Sequence, residues 1–267
     1  MQLDVGRYIA HLRVTQKNLY AYKVDMSLSV LFTVLGFAVM IAVWTAIYAA
    51  TGSTQIRGLS LPAIYAYFIV IGGLNFIIGT NIDDQMMNSI NDGSIGTAML
   101  KPIRYPLQLV LGTIADSFSL FSVPALLFFV AALVIAHASL GLWQAAAFVA
   151  EVVIAFCIIN LFGFLVGLAA IYLTNIYGLV SIVFSVISIL GGMVAPLPFY
   201  PQWAQSILYL SPLPSMFYFP ASTFLGTISN AMIWQSLVVG LVWVLIMLGA
   251  AALGWKKMSI KVALAGG

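Results

Sequence analysis

Long apolar stretches separated by short polar interruptions dominate this chain. Nearly unbroken hydrophobic runs occupy residues 28–50, 61–80, 107–136, 145–173, 178–195 and 233–255. A helix needs about 20 apolar residues to cross a hydrocarbon core of about 30 Å. The pattern therefore predicts an all-α integral membrane fold of six transmembrane helices, with residues 1–267 forming a single transmembrane domain. Composition agrees: 63% of the 267 residues are hydrophobic and 6% are charged, where soluble domains carry roughly 25% charged residues.

Charge placement orients the predicted helices. Arg7, Arg13, Lys17, Lys23, Lys101, Arg104, Lys256, Lys257 and Lys261 fall on one side of the predicted membrane, and only Arg57 falls on the other. Because positive charge near span ends stays cytoplasmic, both chain ends and the loop 81–106 are expected inside. The loops 51–60, 137–144 and 196–230 are expected outside. The formal charge of +3 does not indicate nucleic acid, since these basic residues border spans and do not cluster on an exposed face. Cys157, the single cysteine, lies inside an apolar run and offers neither a disulfide pair nor a metal cluster.

Three segments depart from the span-and-loop pattern. Residues 1–27 place Val5, Ile9, Leu12 and Leu19 at helical spacing with basic residues around them, which reads as an amphipathic helix on the inner membrane surface or a basic topology anchor. In the inward loop, Ile82, Met86, Met87 and Ile90 recur at helical spacing. They predict a short helix stopping at Gly93, either docked to a soluble partner or a solvated connector. The stretch from Gly191 through Trp203, followed by Pro212, Pro214 and Pro220, interrupts helices yet carries no charge to Thr227. It reads as short re-entrant helices in the outer leaflet or as an interfacial aromatic loop.

In order and topology these features resemble the membrane subunits of type-2 ABC exporters, the permeases of polysaccharide, drug and peptide exporters. Asp92-Gly93 through Leu100-Lys101-Pro102 is similar to that family's glycine-to-Leu-basic-Pro stretch. Gly192-x-x-x-Pro196 with Pro201-x-Trp203 is similar to its pattern ahead of the re-entrant helices. The position before the first glycine, often basic in relatives, is acidic here as Asp92. The resemblance implies a coupling helix between spans two and three, with Asp83, Asp84, Gln85, Met86, Met87, Asn88, Asp92 and Gly93 facing separate ABC ATPase subunits that bind ATP and Mg. It implies a re-entrant region carrying Gly192, Pro196, Pro201 and Trp203 between spans five and six. It also implies a path lined by Phe32, Leu35, Val39, Val183, Val186, Ile187 and Leu190, in a homodimer or a heterodimer with a related permease. The setting would be a prokaryotic plasma membrane, with lipids as further partners and no nucleic acid.

The residues themselves limit the chemistry. No Gly-rich loop ending in Gly-Lys-Ser/Thr is present, so the chain is expected to bind no nucleotide cofactor and to be non-catalytic alone. No hydrolase or zinc motif occurs either. Asp116, Glu151 and His137 lie within or near spans, where ionisable groups are costly and are functional candidates. Gly163-x-x-x-Gly167 permits close helix approach. An ATP-independent transporter or channel, or a membrane scaffold or immunity-type protein, fits the same composition.

Overall fold

The computed structural model describes residues 23–79, 81–117, 122–136, 140–173 and 175–265. Residues 1–22 of the expected interface helix and His137 lie outside these. Residues 23–27 open the first long helix, α1 (Lys23–Thr51). Two short strands, β1 (Gln55–Ile56) and β2 (Leu59–Ser60), pair antiparallel, with Ile56 opposite Leu59. There follow α2 (Leu61–Ile78), α3 (Ile82–Asn91), α4 (Ser94–Met99), α5 (Tyr105–Asp116), α6 (Ser122–Ala136) and α7 (Leu142–Gly167). A 3-10 turn at Leu168–Ile171 extends α7. Then come α8 (Tyr177–Leu190), a 3-10 turn at Leu197–Phe199, α9 (Gln202–Leu208), α10 (Tyr218–Phe224) and α11 (Asn230–Ala265).

Among the described residues, four stretches are long and apolar enough to cross a membrane: Val30–Thr51, Leu61–Asn91, Leu142–Ile171 and Asn230–Ser259. Two apolar helices are shorter, at Val123–Ala136 and Tyr177–Leu190. The 14 residues of α8 rise about 21 Å at 1.5 Å each, less than the hydrocarbon thickness. The expected span 178–195 is cut back because the chain turns at Gly191 and Gly192, the latter at φ 96°. The expected span 107–136 is divided between α5 and α6, with Asp116 and Ser117 at the interruption. Short polar side chains of this kind compete with the helical backbone for its hydrogen bonds.

The core gathers on α2 and α7. Ser60 caps α2 by accepting from the Ala63 N–H, and Pro62 occupies its first turn, where no backbone donor is needed. Helix α2 packs along α6, and α7 along α11. Phe129 of α6, Phe148 of α7 and Phe224 of α10 meet with ring centroids 4.8–5.4 Å apart. Helix α1 stays peripheral. It buries Trp44 and Tyr48, joined to the rest through the Trp44–Phe199 ring contact at 4.6 Å and a Tyr48 hydroxyl bond to the Leu59 carbonyl at 2.7 Å.

Candidate functional site

Beyond the C-terminal end of α2, helix α3 folds back onto the end of α7. Its apolar positions fall on one face, so Ile82, Met86 and Met87 are buried, together with Asp83. Gly167 is what lets the helix seat. A Cβ there would lie 2.9 Å from Met86 Sδ and 3.3 Å from Asp83 Cα, so even alanine would displace the Met86 side chain and shift α3 by a few tenths of an ångström. Gly93, at φ 75°, ends α3 and begins α4. Ser89 and the Tyr105 hydroxyl share a hydrogen bond, and Tyr105 stacks on Trp255 of α11 at 5.4 Å. The Gln108 amide donates to the carbonyls of Ala98 (2.9 Å) and Ile103 (2.6 Å), fixing the return into α5.

This packing redirects the expected partner-facing set. Met86 and Met87 face the chain's own interior, because with Ile82 they supply the hydrophobic stripe that docks α3, and Asp83 is buried beside them. Asp84 and Gln85 are half-buried, while Asn88, Asp92 and Gly93 are exposed. The outer ridge is therefore polar and acidic. Hydrogen bonds from Ser94, including one donated by its N–H at 2.8 Å, hold the Asp92 carboxyl below the usual carboxylate range.

The opposite end, around the N-terminus of α2, holds the broken backbone that follows α8. Gly192 and Pro196 are buried, Pro201 is exposed and Trp203 is 71% exposed. Side chains satisfy the carbonyls that no helix reaches. The Tyr67 hydroxyl donates to Gly192 O at 2.7 Å, Gln205 to Tyr200 O at 2.8 Å, and the Trp243 indole to Leu210 O at 2.8 Å. Irregular backbone at membrane depth requires such internal partners. All seven residues of α10 are buried.

The residues expected to line a path divide. Phe32, Leu35, Val39 and Val186 are exposed, Val183 and Leu190 are half-buried, and Ile187 is buried in the chain's own core. The structure thus removes Ile187 from any path-facing surface, because it lies on the inward face of α8. Asp116 is half-buried and Glu151 is buried on α7. The Ser236 hydroxyl of α11 bonds Glu151 Oε1, and Thr223 of α10 faces the same carboxyl. Sequence reasoning missed Ser236 and Thr223, since nothing local links a serine and a threonine so distant along the chain to Glu151. It also missed a cavity of about 250 Å³ beside the hairpin, lined in part by Arg57, Tyr67, Tyr218 and Ser222. The signal for Arg57 was present in its position as the one basic residue expected on the outward side. Among the described residues, no group of three or more His, Cys, Asp or Glu side chains is placed to hold a metal ion.

Long apolar helices, irregular backbone satisfied from within and an amphipathic helix folded onto one end define a multi-pass α-helical membrane protein. Residues 23–266 match the family described as ABC-2 family transporter protein, and the chain belongs to that family. It is accordingly a permease of the type-2 ABC class, the membrane-embedded transport component of ABC transporters. No curated protein matches the chain.

Proposed function

We propose that this permease is the export path of an ATP-driven transporter in a prokaryotic plasma membrane, with both chain ends cytoplasmic. It works as a homodimer or with a related permease, and separate ABC ATPase subunits bind ATP and Mg. The observation that carries this reading is the docked helix α3 in a chain of the ABC-2 family. Its apolar stripe is rigidly seated on α7, while the polar ridge of Asp84, Gln85, Asn88, Asp92 and Gly93 is left available to a partner. Force applied to that ridge passes to α7 through the close contact at Gly167, and from α7 to α11 and α10. The outward ends of the spans, including the re-entrant region, then move with them. The exposed apolar faces of α1 and α8, with Phe32, Leu35, Val39 and Val186, suit a second permease, lipid or an amphipathic cargo.

Added positive charge on the ridge tests the coupling. The double variant Asn88→Arg/Asp92→Arg is expected to lower recovery of the co-expressed ATPase about tenfold or more, as mismatched charge at an interface costs several kcal/mol. Asn88→Arg alone should leave the melting midpoint at the parent's, because its side chain is exposed, whereas Asp92→Arg also gives up the acceptor of the Ser94 N–H and should cost about 0.5–2 kcal/mol. Undiminished ATPase recovery would place the contact elsewhere. Orientation is tested in a Cys157→Ser background. A cysteine at Gln202 is expected to react with an impermeant maleimide from outside, and one at Asn88 only after the membrane is opened. The reverse pattern would invert the topology.

A further inference from the structure

The hairpin joining α1 to α2 turns through two residues, Arg57 and Gly58, at φ 53° and 81°. Two successive positive φ values are what a two-residue hairpin loop with the twist of its strands demands, and asparagine, aspartate or glycine normally fills the first of them. Arg57 is the only non-glycine residue with positive φ among the described residues. A long side chain held there against its backbone preference points to a role for the side chain.

Arg57 lines the cavity of about 250 Å³, together with Tyr67, Pro198, Tyr218, Ser222 and Thr227. The cavity walls are already committed to one another. Tyr67 donates to Gly192 O, Thr227 donates to Ser222 O, and Tyr218 interacts with Ser222. No Asp or Glu lines the cavity beside Arg57. The segments assigned to this side, 51–60, 137–144 and 196–230, contain no Asp or Glu at all. A partly enclosed recess bordered by the exposed Arg57, with no carboxylate among its lining residues, is complementary to an anion from outside the chain.

We propose that this recess is an oxyanion site on the outward face, in which Arg57 binds a phosphate group. The guanidinium fork matches two phosphate oxygens in a bidentate pair. The volume lies below the 300–1,000 Å³ of pockets that enclose drug-sized ligands, so it admits a head group and not a whole amphiphile. The phosphate is supplied either as the phosphodiester of an anionic lipid or as the free ion. The site is independent of ATP coupling, because its binding is a property of the isolated chain.

The test uses the full chain in neutral detergent and follows its melting midpoint during titration with inorganic phosphate at constant ionic strength, short-chain phosphatidylglycerol, or diacylglycerol. Phosphatidylglycerol is expected to stabilise the parent protein, and diacylglycerol is not. A matching response to inorganic phosphate identifies a site for the free ion, whereas a response to the lipid alone identifies a head-group site. Arg57→Asn keeps a residue that tolerates positive φ, so its unliganded midpoint should equal or exceed that of the parent. Its apparent affinity should fall about 10- to 100-fold, the worth of a charge-assisted hydrogen bond. Arg57→Lys keeps the charge, loses the fork and should fall between them, which preserves the test if Arg57→Asn folds poorly. An unchanged phosphatidylglycerol response in both variants, equal stabilisation by diacylglycerol, or no response of the parent to either phosphate would overturn the proposal.

Discussion

Replacing Gly192 by alanine is expected to destabilise the protein by roughly 2–5 kcal/mol, combining a left-handed backbone penalty of about 1–2 kcal/mol with about 1–3 kcal/mol of overpacking. Gly192 sits at φ 96°, and a Cβ there would lie 2.8 Å from the Tyr67 hydroxyl, 2.9 Å from Tyr218 Cβ and 3.4 Å from its Cα. Tyr67 would lose its 2.7 Å bond to Gly192 O. Tyr218 opens α10, so relief of the clash means moving a helix that is buried throughout. Gly249→Ala is the control. Its added Cβ meets nothing within 4 Å, and alanine within a helix should be neutral or stabilise by about 0.5–1 kcal/mol. Thermal unfolding in detergent reads both. Equal behaviour of the two variants would remove the argument for a fixed turn at Gly192.

The second large effect is expected at Glu151, 3% exposed among Ser236 at 2% and Thr223 at 0%. Hydrogens can be counted there. Ser236 has one hydroxyl hydrogen, yet its oxygen lies within bonding distance of both Glu151 Oε1 and the Ile233 carbonyl, the latter at 2.7 Å. Glu151 Oε2 and Thr223 Oγ1 are both buried without a partner. Ser236 offers its one hydrogen to Glu151 Oε1 and Ile233 O together, and an uncharged side chain at 151 that both accepts and donates would complete the set with Ser236 and Thr223. Glutamine supplies the same donor and acceptor, so Glu151→Gln should stay within about 1 kcal/mol of the parent. Glu151→Ala should cost roughly 2–4 kcal/mol, through the void and a buried hydroxyl without an acceptor. The carboxyl would then tie α7, α10 and α11 together. Unfolding midpoints that fell equally for both variants would show that an ionised carboxylate is required.

Legibility in the sequence followed the range of the interaction concerned. The helix from Ile82 was readable because its apolar positions repeat along the local chain. Which of its residues would stay available was not, since that depends on Gly167, far along the sequence, having no side chain to block Met86. The glycine and proline interruption after α8 was readable as backbone that cannot continue a helix. Two partners of that backbone were not, because Tyr67 and Trp243 reach its carbonyls from helices distant in the chain. Glu151 was recognisable as a costly intramembrane acid, while Ser236 and Thr223 became its neighbours only through helix packing.

By itself, then, the sequence determined the solvent, the helical class and the positions of the long apolar segments. Hydropathy and backbone conformational preference are local properties, summed over about 20 residues at a time. It also set Arg57 apart along the chain from the other basic residues, since charge is read by position. The tertiary structure decided which face of each helix turns inward, that Ile187 belongs to the core and Asn88 to the surface, and that α8 is too short to cross unaided. It also decided that Arg57 borders a recess with Tyr67 and Tyr218. Those outcomes depend on close packing between segments distant in the chain, where a single missing Cβ at Gly167 or Gly192 sets how near two elements come.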